Sequence, residues 1–221
     1  MTKKLTAEEV KTLILDTAAD LFIEKGYVDT SISDIVSRLD GLTKGAVYHH
    51  FNSKEEIINS LVRGFIPKDD ILDKIELNEE LSGLEKIQET LFEGMFNRAS
   101  HEETAKYYGL LNETTFYSIY IRMVNELTIE RLIRFITEGN EDGSTNVEKP
   151  KQMSEVILLL VSTWFINVLY VTTPENFFDK IDTASTILRM SKVDVLNEEF
   201  TERMINSIKN LNLTTEEEDM I

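Results

Sequence analysis

Residues 30–54, TSISDIVSRLDGLTKGAVYHHFNSK, decide the fold of this chain. Ile32, Ile35, Val36 and Leu39 recur at helical spacing and form one apolar stripe, and Ser31 with Asp34 supplies a capping signal where the stripe begins. Asp40 and Gly41 end that helix. Thr43 is an N-cap for a second helix that carries Lys44, Gly45, Ala46, Val47, Tyr48 and His49, with Val47 as its anchor into the core. Asn52 and Ser53 open a third, in which Ser53 and Glu56 read as a capping box. Two short amphipathic helices, a glycine turn between them and a further helix start describe a helix-turn-helix.

The pattern also sorts the side chains by chemistry. Lys44, Tyr48 and His49 face outward, while Gly45 and Ala46 are small enough to let a helix backbone approach base edges. Lys44 and His49 can donate to bases or phosphates, and the Tyr48 hydroxyl can reach a phosphate. The start of the following helix, with Lys54, offers a phosphate clamp, and Thr30 with Ser31 offers another. The candidate DNA-binding residues are therefore Thr30, Ser31, Thr43, Lys44, Gly45, Ala46, Tyr48, His49 and Lys54.

Upstream, Thr6 and Glu9 cap a helix whose inner stripe is Val10, Leu13, Ile14, Ala18, Leu21 and Phe22, with Gly26 as its C-cap; Met1 to Leu5 read as a disordered arm. Downstream, a helix from Lys54 carries Ile57, Ile58, Leu61, Val62 and Phe65, and Pro67 marks a break. Residues 1–65 form the expected DNA-binding domain and residues 66–221 the larger second domain.

At this point the sequence resembles the TetR (tetracycline-repressor-like) family of transcriptional regulators. Lys44, Gly45, Tyr48, His50, Phe51, Ser53, Lys54 and Glu55 match the family's Lys-Gly-x-x-Tyr-x-His-Phe run followed by Ser-Lys-Glu. Ala18, Leu21, Phe22, Gly26, Tyr27, Thr30, Ile32 and Ile35 match the preceding helices, so the resemblance covers residues 6–65. The turn Leu39-Asp40-Gly41-Leu42-Thr43 is one residue longer than the family's Ala-Gly-Val-Ser. The resemblance implies an all-α fold, a C-terminal domain that binds a small-molecule effector and dimerises through late helices, and a palindromic operator. Its half-sites would lie about one DNA turn (~34 Å) apart.

Composition agrees with long helices, since the 221 residues hold three prolines and nine glycines. The absence of cysteine excludes disulfides and thiolate metal sites and fits a reducing cytoplasm, and no signal peptide precedes the first helix. There is no Gly-x-Ser-x-Gly elbow, Walker loop or Rossmann glycine pattern, so no enzyme and no cofactor are expected. His49 and His50 point in different directions on a helix and His101 is remote, so no metal site is expected either. The net charge of −17 falls mainly on residues 66–221, leaving the first 65 close to balanced. Modest nonspecific DNA binding with a shallow salt dependence follows.

In the second part, Leu84, Ile87, Leu91, Phe92 and Met95 mark a helix, and two further helical segments between Glu102 and Glu138 meet near Ser118. Residues 139–150, GNEDGSTNVEKP, read as an exposed loop. Residues 156–171, VILLLVSTWFINVLYV, are apolar on nearly every face but shorter than the ~20 residues a membrane span needs. They read as a buried helix with one face for its own subunit and one for a partner. A helix near Glu175–Met190 and a last helix with Val195, Leu196, Phe200, Met204, Ile205, Ile208 and Leu211 follow, ending in a frayed TTEEEDMI tail.

Trp164, Phe165, Val168, Met204 and Ile208 are the candidate dimer-interface residues. The candidate ligand-binding residues are Phe92, Phe96, Tyr107, Tyr117, Tyr120 and Trp164, with Asn112 and Arg122 as polar anchors. The same aromatics also read as ordinary core. Two alternatives stay open: a DNA-binding dimer without a small-molecule effector, and a helical interaction module whose DNA-binding motif is degenerate.

Overall fold

A computed structural model describes residues 5–96, 107–165, 170 and 173–216. Among the described residues all regular structure is helical, as expected: α1 Ala7–Lys25, α2 Ile32–Arg38, α3 Lys44–His50, α4 Lys54–Arg63, α5 Asp69–Glu76, α6 Gly83–Phe96, a 3₁₀ turn Tyr108–Asn112, α7 Thr114–Asp142, α8 Pro150–Leu159 continued by a π turn Leu160–Trp164, α9 Pro174–Met190 and α10 Glu198–Glu216. No described helix is long and apolar enough to cross a membrane.

The chain divides into two compact units. The first takes in the described parts of residues 1–65 and 102–122, and the second those of 66–101 and 123–221. The described part of the 102–122 stretch, residues 107–122, expected from sequence in the second domain, joins the first unit because Phe116 and Tyr120 bury their rings against Phe65, with centroids 5.2 and 6.3 Å away. Ile14, Ala18, Leu21 and Phe22 of α1 are buried as the stripe requires, whereas Leu13 turns outward. It sits about 100° round the helix from Ile14, off the packed face.

The second unit is organised by close helix crossings. At Gly83, the start of α6, a Cβ would lie 2.2 Å from the Phe135 carbonyl and from the Gly139 nitrogen, so α6 and α7 meet backbone to backbone there. Lys86 and Glu138 pair at 2.8 Å beside the crossing, and Arg131 and Arg134 tie α7 to Asp73 and Glu76 of α5 at 2.7 Å each. The core fills with Leu132, Phe135 and Ile136 of α7 against Ile157, Ile181, Leu188 and Phe200.

Several expectations are corrected. Residues 114–142 form one helix that runs through Ser118, because no breaker interrupts it. Helix α4 ends at Arg63, before Phe65 and Pro67, and α5 is an additional helix. Residues 139–142 close α7, and the rest of the expected loop, exposed over most of its length, is pinned by the buried Thr145 and Val147, while Asn140 accepts from Thr145 Oγ1 and from the Val147 amide and donates to the Val147 carbonyl at 2.8 Å. The apolar run after Val156 leaves α-geometry at Leu160, where the Phe165 amide donates to the Leu160 carbonyl at 3.0 Å. Val195 and Leu196 are buried ahead of α10 instead of inside it, and that helix extends to Glu216. The expected arm at residues 1–4, Val168, the Ile208 side chain and tail residues 217–221 lie outside the described ones.

Candidate nucleic-acid interface

The reading unit starts from the end of α1. Gly26 adopts φ +86°, the left-handed conformation that lets the chain leave the helix, and its amide still donates to the Phe22 carbonyl. Tyr27 then packs edge-on to the buried Phe22 ring, 5.3 Å between centroids. The Thr30 hydroxyl donates to the carbonyls of Gly26 at 2.8 Å and Leu21 at 3.3 Å, closing the turn.

Helix α2 begins with a complete capping box: the Asp34 amide donates to Ser31 Oγ at 3.1 Å and the Ser31 amide to Asp34 Oδ2 at 2.7 Å. Lys25 and Asp34 pair at 3.0 Å and Arg38 and Glu24 at 2.7 Å, so α1 holds both ends of α2. Leu39, buried, caps α2, and the turn from Leu39 to Thr43 passes through Gly41 at φ +77°. That φ is one glycine adopts at no steric cost.

Thr43 caps α3, accepting from the Ala46 amide at 3.2 Å. Val47 is 0 % exposed and Phe51, at the other end, is buried as well; these two side chains fix α3 on the core. Thr43, Lys44, Gly45, Tyr48 and His49 are exposed, and Ala46 is half-buried. A Cβ at Gly45 would meet only Thr43 Oγ1, at 3.7 Å, an ordinary van der Waals contact. The Lys44 ammonium lies 5.9 Å from the Tyr48 ring centre, so a cation and a phenol share one outward face. The His49 and His50 rings stand edge to face at 5.4 Å, and no cluster of three metal-ligating side chains occurs among the described residues.

Two of the sequence-predicted residues are put to other uses. Thr30 is buried and its hydroxyl is spent on the turn, so that side chain is not a phosphate clamp. The Lys54 ammonium turns inward to the carbonyls of Tyr27, Val28 and Thr30. Ser31 is exposed but engaged in its cap. At α4, Ser53 accepts from the Glu56 amide, whereas the Glu56 carboxylate binds the Asn52 amide at 2.7 Å, so the box expected from sequence is only half formed.

The aromatic candidates separate between the two units. In the first, the Tyr107 hydroxyl donates to Asp16, Tyr120 is buried by Phe65, and Tyr117 lies 6.4 Å from Tyr120 with its hydroxyl buried and without a hydrogen-bond partner. Asn112 is exposed and Arg122 belongs to the same unit. In the second, Phe92 and Phe96 stack at 4.9 Å, the Arg203 guanidinium covers Phe92 at 3.6 Å, and Trp164 lies 6.2 Å from Phe165.

The interface candidates need correction. Met204 is fully buried and Phe165 nearly so, both within the second unit's own core, so neither can face a partner. Among the exposed apolar side chains of the described residues are Val156 and Leu159 on α8 and Phe178, Ile187 and Met190 on α9. Val156 and Met190 line one cleft of about 430 Å³, which places these two helix surfaces side by side. For Val156 and Leu159, a run apolar on every face hides in the sequence which face points out.

Comparison with known proteins agrees with this geometry. Residues 14–61 match the family model of bacterial regulatory proteins, tetR family, which spans α1 to α4. The HTH-type transcriptional repressor KstR2 of Rhodococcus jostii (strain RHA1) is 30 % identical over 134 residues, 60 % of this chain and 58 % of that protein. The match thus spans little more than half of that relative's length. The biofilm operon icaADBC HTH-type negative transcriptional regulator IcaR of Staphylococcus aureus (strain Newman) is 25 % identical over 163 residues, 73 % of this chain and 85 % of its own. A transcriptional regulator (TerR/AcrR family) from Aquifex aeolicus VF5 superposes with a TM-score of 0.51 at 27 % identity, over 82 % of this chain and 98 % of the other. NalD, the secondary repressor of the MexAB-OprM multidrug efflux pump in Pseudomonas aeruginosa, shares the fold with a TM-score of 0.61 at 19 % identity, over 81 % and 96 %. Residues 14–61 are thus similar to the DNA-binding part of the tetR family of bacterial regulatory proteins, and the all-helical fold of the chain is similar to that of solved transcriptional regulators.

Proposed function

We propose that the protein is a sequence-specific, homodimeric DNA-binding repressor whose α3 enters the major groove of a palindromic operator. The observation that carries this reading is the division of α3, with Val47 fully buried and Lys44, Gly45, Tyr48 and His49 exposed on the opposite side. That division leaves one face of a short helix for base edges and one cation for a phosphate. The relatives KstR2 and IcaR are named as repressors or negative regulators, which supports the sign of the effect.

Dimerisation is assigned to the exposed apolar face of α8 and α9, with Val156, Leu159, Ile187 and Met190 meeting the same face of a second copy. Met190 is 80 % exposed and Leu159 59 %, which is water contact that a two-fold packed helix pair would remove. A small-molecule effector completes the reading, and the Tyr117 hydroxyl, buried and without a hydrogen-bond partner among the described residues, supports it as a polar group that a ligand could satisfy. Such a ligand acts only through unequal affinity for the DNA-competent and incompetent states. Sedimentation of the protein with a selected palindromic duplex tests the proposal: two chains per duplex are expected, and a single chain bound as tightly to one half-site contradicts it.

A further inference from the structure

We infer that Lys54 is a positioning residue for DNA recognition: it ties the start of α4 to the turn that launches α2, and so sets how α3 is presented, without touching phosphate. The inference rests on the DNA-binding reading above.

An ammonium group has three donors. Those of Lys54 meet the carbonyls of Tyr27 at 2.6 Å, Val28 at 3.3 Å and Thr30 at 2.6 Å. The same nitrogen stands 4.2 Å from the centre of the Tyr27 ring, which packs edge-on to Phe22. No donor is left for a phosphate oxygen. The three carbonyls belong to a non-helical turn and need partners, and Lys54 supplies what secondary structure cannot. Burial lowers the ammonium's pKa, while Asp29, Asp34 and Glu113 act in the opposite direction.

The consequence for recognition follows from chain order. Thr30 is joined directly to Ser31, the cap of α2, and α2 packs against α3. Displacing the Thr30 carbonyl therefore displaces the first turn of α2 and, with it, the helix that faces the groove. A shift of this kind weakens every base contact together and removes no ion pair with DNA.

Arginine separates the two possible roles. It binds phosphate at least as well as lysine, but its planar fork cannot set three donors on three converging carbonyls. The experiment measures operator binding across a salt series for the wild type, Lys54→Arg, Lys54→Met and Lys44→Ala, with hydrogen exchange at the Ser31 to Ile35 amides in the free proteins. We expect both Lys54 variants to bind about tenfold more weakly, because the lost bonds to charged donors are worth that much. Their salt slope should equal that of the wild type, their Ser31–Ile35 amides should exchange faster, and Lys44→Ala should lower the slope by about 1. Wild-type affinity in Lys54→Arg, or a slope lowered by about 1 in Lys54→Met, would overturn the inference. If the wild type selects no duplex, the DNA reading fails, and unchanged exchange in Lys54→Arg would then separately overturn the clamp.

Discussion

The ammonium of Lys25, the last residue of α1, stands 3.0 Å from the carboxylate of Asp34, the third residue of α2. The same carboxylate accepts from the Ser31 hydroxyl at 2.6 Å and the Ser31 amide at 2.7 Å. These bonds, those from Ser31 foremost, hold the Asp34 carboxyl down to about 2. Because the folded value lies below the unfolded one, the stabilisation is fully present above about pH 4 and is lost as pH falls through about 2. Urea midpoints at pH 5 and pH 2.5, measured for the wild type and Asp34→Asn, should show a smaller acid loss in the variant. Equal losses would contradict this account of the cap.

Val47 is the one fully buried side chain of α3, so Val47→Ala tests how that helix is anchored. Removing its two methyl groups should cost about 2 kcal/mol, the transfer of the lost surface plus a small cavity. Chemical denaturation reads that cost directly. DNA binding should weaken as well, since Lys44 and Tyr48 are aimed only as well as Val47 is seated.

Lys44 is the exposed lysine of α3, while Lys54 is turned inward. With the first 65 residues close to balanced in charge and Lys54 turned inward, the salt dependence of binding should be shallow. Lys44→Ala should weaken binding to all sequences by a similar factor and lower the slope by about 1. A steep wild-type slope, reporting many neutralised phosphates, would show that other basic residues carry the contact.

Leu159 and Ile187 are exposed and stand three residues along their helices from Val156 and Met190, the pair that lines a common cleft. Leu159→Asp with Ile187→Asp should convert a dimer to monomers in sedimentation equilibrium, because two copies would bring four carboxylates into an apolar contact. Helical content by circular dichroism should be unchanged, as both side chains are already exposed in the single chain. A dimer that survives both substitutions would place the interface elsewhere.

What the sequence reveals depends on whether one stretch of chain contains all the parts of an arrangement. The capping boxes at Thr6–Glu9 and Ser31–Asp34, the left-handed Gly26 and the buried Val47 are local, and each was readable from neighbours within four residues. Lys54 was misread because its partners lie 24 to 27 residues upstream, in a turn whose direction no periodicity reports. Met204 and Phe165 were misread for a related reason: both satisfy helical spacing, yet the choice between core and surface depends on which helices pack beside them. The loop at 139–150 looked polar and open because Asn140 supports it through bonds that composition does not show.

The central claim is most directly tested by selecting bound duplexes from a random DNA pool with the purified protein at a stated salt concentration. The account predicts an enriched palindrome whose half-sites are about one helical turn (~34 Å) apart, matching two copies of α3 in a two-fold dimer. No enrichment, even at low salt where backbone attraction is strongest, would contradict it and leave the chain as a helical interaction module.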